Sequence, residues 1–168
     1  LQDLIKFHLA DANPDALIDA DLIRLNFVNS NAVMEGKEKL YEEALLAIEQ
    51  KYPNNQAIAQ AMFLRGTIYL QRGQQYEALT KTENQYEIKR ARELFETVYA
   101  RFPKSEGGIN AKNAVGQLSQ PSLNIETEKV NVALQPFRSL VKYKNIKTLY
   151  LRVIKTTREE IKSIDRRD

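Results

Sequence analysis

The sequence predicts a mainly α protein in which helical hairpin repeats precede a short antiparallel β segment. Three observations lead to this fold class. Apolar residues recur at helical spacing from Leu1 to about Ser119, the chain aligns with itself after a shift of 50 residues, and period-two alternation begins after Pro121. We therefore expect a helical repeat domain over residues 1–120 and a β-strand segment over residues 121–168.

Turn-forming residues divide the first part of the chain into separate helices. One helix is predicted between Lys39 and Gln50, where apolar residues form a stripe, and Pro53 follows where this helix must stop. Asn55 is a residue type that caps the start of a following helix. The interruptions fall at Asn13-Pro14, Glu35-Gly36, Tyr52-Pro53-Asn54-Asn55, Gly73 and Phe102-Pro103.

The self-alignment indicates a repeat architecture. A plain two-helix repeat has about 34 residues, so a period of 50 residues requires an insertion in one copy. The shift places Leu45 on Phe95, Ile48 on Val98, Tyr52-Pro53 on Phe102-Pro103, Ala61 on Ala111, and Gly66 on Gly116.

Small and aromatic residues at these positions resemble the pattern of a tetratricopeptide repeat. The resemblance locates an insertion of 13 residues at Gln74 to Glu87, between the two helices of one repeat. We expect an exposed loop or a longer helical turn there, and a lengthened hairpin is favoured over a functional contact. Ala61, Gly66, Tyr69 and Gly73 fit the first helix of the repeat, and Ala91, Phe95, Val98 and Pro103 fit the second.

Strand-like alternation begins after Ser119-Gln120-Pro121. Leu123, Ile125 and Thr127 alternate with polar residues as in a half-buried strand. Phe137 to Lys144 and Ile146 to Thr156 are predicted as two more strands, and such a set needs a second layer to cover its apolar face. The charged stretch from Thr157 to Asp168 is predicted to be a frayed helix or tail.

Several kinds of chemistry are excluded within these residues. The chain has no cysteine and one histidine, His8, so disulfides, thiolate metal sites and histidine clusters cannot form within it. No phosphate-binding loop or nucleophile elbow is present. Asp15 and Asp19 are best explained by the dipole of the helix that they begin. We therefore expect no enzyme, no cofactor and no metal site.

Charge is distributed unevenly along the chain. Residues 1–64 hold 5 Lys/Arg and 10 Asp/Glu, whereas residues 122–168 hold 11 and 6. Nucleic acid binding is not favoured, because the basic residues of the second part alternate with apolar ones and no recognition motif accompanies them. No apolar run reaches the roughly 18 residues of a membrane-spanning helix. The expected partner is a protein, a peptide or another domain of the same parent chain.

The junction between the two parts carries a family resemblance. The residues from Leu123 to Lys155 read LNIETEKVNVALQPFRSLVKYKNIKTLYLRVIK, with Tyr143-Lys144-Asn145-Ile146 followed by Leu149-Tyr150-Leu151-Arg152-Val153. This junction resembles the N-terminal region of a bacterial α-2-macroglobulin family protein. There, a helical repeat region leads into the first macroglobulin-like β-sandwich.

The resemblance implies a role in protease trapping or envelope defence. It also implies a periplasmic or envelope location, with lipid anchoring through the parent chain. The family's Cys-Gln thioester and bait segment correspond to no residue here. Because the chain starts at Leu1 inside an amphipathic stretch, without a signal-peptide pattern, we expect it to be part of a longer parent.

Three functional hypotheses follow from the sequence. The first is a structural and interaction region of such a macroglobulin, and the second is an envelope adaptor that binds a peptide or assembly partner in its helical groove. An accessory domain of an enzyme is the weakest of the three. The sequence does not identify the binding residues.

Overall fold

Six helices precede a two-stranded antiparallel sheet in the part of the chain that the structure describes. A computed structural model describes residues 1–128, 130–132, 135–152, 154–157 and 160. The chain divides into two compact units, Leu1–Ser119 and Gln120–Asp168. The elements are α1 (Gln2–His8), α2 (Asp15–Asn31), α3 (Lys37–Lys51), α4 (Ile58–Gln74), α5 (Glu87–Arg101), α6 (Glu106–Ser119), β1 (Ser122–Thr127) and β2 (Ser139–Lys144).

The mainly helical class with a small antiparallel β element is therefore confirmed. Within the described ranges, every helix is too short or too polar to cross a lipid bilayer.

Helices α3 and α5 end in the same way. Tyr52 and Phe102, which follow them, have φ/ψ angles of −125°/50° and −130°/57°. Each precedes a proline, whose ring drives the preceding residue out of the helical region and whose nitrogen carries no hydrogen. The two helices also begin 50 residues apart, at Lys37 and Glu87. For α3 and α5 the period seen in the sequence is thus a period of helix boundaries.

Helices α4 and α6 are preceded by polar side chains at equivalent positions. Asn55 Oδ1 accepts a hydrogen bond from the N–H of Ala57 at 2.7 Å, just before α4. Ser105 Oγ accepts one from the N–H of Gly108 at 3.0 Å, in the first turn of α6. Amides at a helix start lack carbonyl partners, so each side chain satisfies a donor that would otherwise be unpaired.

Helices α4 and α5 cross closely at Gly66. A Cβ atom on this residue would lie 2.4 Å from Cε1 and 2.9 Å from Cδ1 of Phe95. Phe95 is fully buried, and its ring centroid lies 5.5 Å from that of Phe63. Because the ring has no free space to move into, the crossing requires glycine at this position.

Helix α6 presents a different face at the equivalent position. A Cβ atom on Gly116 would meet no atom within 4 Å. Shifted by 50 residues, Phe63 of α4 corresponds to Asn113 of α6, and Tyr69 corresponds to Ser119. The face that carries aromatic residues on α4 is therefore polar on α6, as expected of the helix that ends a repeat array.

The hydrophobic core of Leu1–Ser119 lies between α2, α3, α4, α5 and α6. Small residues allow the helix backbones to approach, since Gly107 of α6 abuts Ala59 of α4 so closely that a Cβ atom would lie 2.2 Å from its carbonyl carbon. The largest fully buried side chains are those of Ile18, Leu45, Ile58, Tyr69, Phe95 and Val98.

The predicted insertion connects α4 to α5 as an exposed loop. Residues 75–86 have no regular helix, and Glu77 and Lys81 exchange backbone hydrogen bonds, each of 2.9 Å. The connection therefore closes on itself as a small turn. Its residues are mostly exposed, so it lengthens the path between the two helices without entering their core.

The unit Gln120–Asp168 contains an amphipathic two-stranded ribbon. Leu123 pairs with Tyr143 and Ile125 with Val141, which places these four apolar side chains on one face. On the opposite face Lys142 Nζ lies 2.9 Å from Glu126 Oε1. This ion pair lowers the pKa of the Glu126 carboxyl group, through the hydrogen bond from Lys142 and the lysine charge.

The prediction of a third strand from Ile146 to Thr156 is wrong for the described residues of that range, which form no strand. After β2, Asn145 adopts φ 55° and its Nδ2 donates to the carbonyl of Gln120 at 3.1 Å, so the chain turns away from the sheet. Alternation of apolar and polar residues shows that a segment is suited to a β-strand, but a strand also requires a partner to pair with. Val153 and most of the predicted helix or tail from Thr157 to Asp168 lie outside the described residues.

The crossing at Gly66 can be tested with a matched pair of substitutions. Gly66→Ala should lower the free energy of unfolding by about 1–3 kcal/mol, because the new methyl group overpacks against Phe95. Gly116→Ala should instead raise it by up to about 1 kcal/mol, because alanine favours an exposed helix and meets no obstacle. Urea unfolding followed by helical circular dichroism would measure both, and equal effects would contradict the close crossing.

Hydrogen exchange should separate the ribbon from the helices. A two-stranded sheet with an exposed apolar face is marginally stable, so amides of β1 and β2 should exchange faster than those of α4 and α5. Exchange followed by mass spectrometry would measure this difference. Equal protection of both groups would show that the ribbon's apolar face is covered.

Candidate interaction surface

A network of charged and aromatic side chains fastens α3 to α4. Arg65 of α4 makes a bidentate ion pair with Glu49 of α3, with Nε–Oε1 and Nη2–Oε2 distances of 2.8 and 2.7 Å. The two side chains are only 16% and 10% exposed. Arg65 Nη1 also donates to the hydroxyl group of Tyr69 at 3.1 Å. This arrangement satisfies a nearly buried guanidinium group with a carboxylate and a phenol.

The same network continues along these helices. Arg72 Nε lies 2.6 Å from Glu38 Oε1, and its Nη2 lies 2.7 Å from Glu42 Oε2. Burial alone would raise the pKa of Glu42, but hydrogen bonds from Tyr69 and Arg72 and the charges of Arg72 and Arg90 lower it. The guanidinium carbon of Arg90, from α5, lies 4.1 Å from the centroid of the Tyr69 ring.

We name these seven residues the polar network. Each of its charged groups already has a partner on a neighbouring helix, so the network holds helices together and leaves no free acid, base or nucleophile. It comprises Glu38, Glu42 and Glu49 of α3, Arg65, Tyr69 and Arg72 of α4, and Arg90 of α5.

A cleft of about 320 Å³ lies where the N-terminal ends of α2, α4 and α6 meet. Asp15, Asp19 and Glu106 contribute carboxylates to its lining, and Lys104 contributes an amine. Asp15 Oδ1 accepts a hydrogen bond from Asn55 Nδ2 at 2.6 Å. Partial burial, followed by the nearby charges of Asp15 and Glu106, raises the pKa of Asp19. Among the described residues, no group of three histidine or acidic residues is arranged to hold a metal ion.

A groove of about 390 Å³ lies between α2 and α4 with the start of α3 beside it. We name it the α2–α4 groove. Buried Tyr41 and Ile68 line it together with half-buried Leu64. Of these three, only Leu64 exposes more than a small part of its side chain to the groove.

The charged residues of the α2–α4 groove are already engaged. Glu38 pairs with Arg72, and Lys37 Nζ donates to the carbonyl of Ala32 at 3.2 Å. The hydroxyl group of Tyr41 donates to Asn26.

Three neutral side chains of the groove remain unused. Asn29, Ser30 and Gln71 make no side-chain hydrogen bond to the residues that the structure describes. The groove therefore offers amide and hydroxyl groups to a ligand, beside the charged side chains of Lys37 and Glu38.

The residues that the sequence marked as repeat positions lie in the helix packing and not in the groove. The alanines and aromatic residues among them are buried, and Gly66 and Phe95 are brought together at the helix crossing. Two positions are exposed, one just after α5 and one on α6. The buried positions are Ala61, Gly66, Tyr69, Ala91, Phe95 and Ala111, and the exposed ones are Pro103 and Gly116.

Sequence reasoning missed the residues that form the groove and the network. Arg65 and Glu49 are 16 residues apart on different helices, so no helical spacing rule connects them. Asn29 is partly buried and Gln71 is exposed, and both are polar residues whose sequence context resembles that of any solvated helix face. Only the packing of α2 and α4 against α3 places them at one cavity.

Comparisons with protein-family models, with curated proteins and with solved structures find no match to this chain.

The Arg65–Glu49 pair should be a major contributor to stability. Arg65→Met leaves the Glu49 carboxylate nearly buried and unpaired, so the free energy of unfolding should fall by about 3 kcal/mol or more. Urea unfolding of the helical unit measures the loss. The matched control is Arg92→Met, because Arg92 pairs with Glu96 at 2.8 Å where both side chains are about half exposed. That change should cost about 0.5 kcal/mol or less, and similar losses for the two variants would contradict the assignment.

Proposed function

We propose that the chain is a non-catalytic structural and protein-interaction region of a large envelope protein that resembles bacterial α-2-macroglobulin. The proposal includes export to the periplasm or envelope, with lipid anchoring through the parent chain, and a role for the parent in protease trapping. The residues around Tyr143 and Leu149 carry the resemblance. β1 and β2 lie within the stretch that resembles the start of a macroglobulin-like domain.

The helical unit is proposed to be of tetratricopeptide type. Support comes from the close crossing of α4 and α5 at Gly66, since a glycine under an aromatic residue of the next helix fits the pattern of this repeat. The shared boundaries of α3 and α5, each followed by an aromatic residue and a proline, add to this support. The polar face of α6 is consistent with a helix that ends such an array.

The ribbon of β1 and β2 is proposed to be the beginning of a β-sandwich. The single observation that carries this part is its amphipathic character. Leu123, Ile125 and Tyr143 share one face and are all substantially exposed, whereas a sheet in a folded domain buries such a face against a second layer. Further strands from the parent would supply that layer.

A second candidate function is a helical adaptor that binds a peptide or an assembly partner. The α2–α4 groove favours it, because its apolar floor and its unused amide groups suit a polypeptide ligand. The two candidates are compatible, since a repeat region can both position a neighbouring domain and hold a partner.

The complete coding sequence of the parent tests the first proposal. If the proposal is right, a β-sandwich that begins with β1 and β2 continues beyond residue 168, and several further β-sandwich domains follow it. A parent without such domains would contradict the macroglobulin hypothesis and leave the adaptor function as the better account. Limited proteolysis of the parent, with mass spectrometry of the products, would check that residues 121–168 are protected within the first sandwich.

A further inference from the structure

A second groove lies between α2 and α3, and α1 forms one of its walls. Its volume is about 350 Å³ with α1 in place. We name it the α1 groove. Leu17 and Ile18 of α2 and Ala44, Ala47 and Ile48 of α3 supply apolar side chains to its lining.

Helix α1 contributes two aliphatic side chains that are four positions apart. Residues with this spacing share one face of a helix. Ile5 is partly buried, whereas Leu9 also lines the groove but still exposes 63% of its surface. The volume that remains open shows that α1 occupies this groove without filling it.

Apolar contact alone holds α1 to the rest of the helical unit. In the part of the chain that the structure describes, every hydrogen bond and ion pair of residues 1–9 stays within residues 1–11. None of the residues of α1 is buried, and residues 9–13, which lead to α2, are all exposed. Helix α1 can therefore leave the groove without losing a polar contact to another helix.

The helical form of α1 depends on the groove. The helix has seven residues, and isolated helices shorter than about 12 residues are marginal in water. The walls that α2 and α3 provide thus stabilise an amphipathic helix that would not persist alone. A longer helix pays less for its own formation and can also fill the space that α1 leaves open.

One charged side chain of the groove lacks an opposite charge. Asp21 Oδ1 and Arg24 Nη2 pair with each other at 2.7 Å. Lys51 is exposed, its Nζ lies 5.1 Å from the centroid of the Tyr52 ring, and it pairs with no carboxylate of the described residues. An acidic residue on a ligand would therefore find a cation at this groove.

We propose that the α1 groove binds an amphipathic helix of a protein partner, and that α1 is a built-in competitor for the same surface. The partner helix presents two aliphatic residues four positions apart, as α1 does, and carries an acidic residue that pairs with Lys51. This inference goes beyond the proposed function, because it concerns a surface other than the α2–α4 groove.

Two fluorescein-labelled peptides of about 16 residues test the spacing. Both are built from Ala, Gln and Glu with two leucines, so their compositions are identical. The leucines are four positions apart in the first peptide and two apart in the second, which places them on different faces of a helix. Fluorescence anisotropy should show about tenfold tighter binding of the first peptide. Equal binding of the two, or binding of neither, would overturn the inference.

Removal of the competitor should increase binding. Ile5→Asp in the full 168-residue chain releases α1 from the groove, so the first peptide should bind about tenfold more tightly than it binds the unmodified chain. Leu1→Asp is the matched control, because an aspartate at the N-cap of α1 stabilises this helix and should not tighten binding. Unchanged circular dichroism of the other helices shows that Ile5→Asp leaves the fold intact, and unchanged affinity would contradict competition by α1.

Variants of α3 locate the site in the Ile5→Asp chain. Ala47→Gln fills the groove from an exposed position and should weaken binding about tenfold by steric exclusion. Ala100→Gln is its matched control, since Ala100 is exposed on α5. Lys51→Gln should weaken binding severalfold. Binding that neither Ala47→Gln nor Lys51→Gln affects would overturn the assignment of the site.

Two further measurements examine other occupants of the groove. Sedimentation that shows a dimer of the unmodified chain, dissociated by Ile5→Asp, would overturn the inference, because a second copy would then be the ligand. The same titration of the parent protein with Ile5→Asp should give the same affinity, and loss of binding would show that another part of the parent covers the groove. The coding sequence of the parent tests the macroglobulin hypothesis independently of these results.

Discussion

The close approach of α4 and α5 is the constraint on which the helical unit depends. Gly66 allows the ring of Phe95 to lie directly against the backbone of α4, and this contact fixes where the two helices cross. The Phe63 ring lies against that of Phe95, and Tyr69 and Val98 are buried in the same core. The absence of a side chain at Gly66 thus affects a core that involves four helices, because α3 packs against α4 and α6 packs against both α4 and α5.

The charged side chains of the polar network form contacts between helices. The arginines of α4 reach across to carboxylates of α3, and Tyr69 links them through its hydroxyl group while its ring receives Arg90 of α5. Removing one partner of a nearly buried pair leaves the other charge uncompensated, so such pairs are costly to break. Neutral groups and apolar surface line the α2–α4 groove together with the charged side chains of Lys37 and Glu38.

The sequence contained enough information to predict the helices and much of their packing, and less about the surface. Prolines after Tyr52 and Phe102 end helices by local sterics, and the 50-residue period reveals Ala61 and Phe95 as equivalent in role to their shifted partners. Both effects are local or repeated, so a single sequence reveals them. The groove residues are neither local in sequence nor repeated, because Asn29 and Gln71 come to one cavity only through tertiary packing. The prediction of a third strand was wrong for a related reason. Alternation of apolar and polar residues does not show whether a neighbouring strand is available for pairing.

The exposed connection between α4 and α5 has a consequence for how this fold can be altered. The crossing of α4 and α5 holds both ends of this connection, and the residues of the connection take no part in that crossing. Within the connection, Glu77 and Lys81 close a local turn through their backbone hydrogen bonds. The entropy of closing a loop rises only slowly with its length. A fluorescent protein, an epitope or a whole domain inserted between Leu79 and Thr80 would therefore leave the fold of the helical unit intact. This makes the connection a suitable place to attach a reporter to the unit.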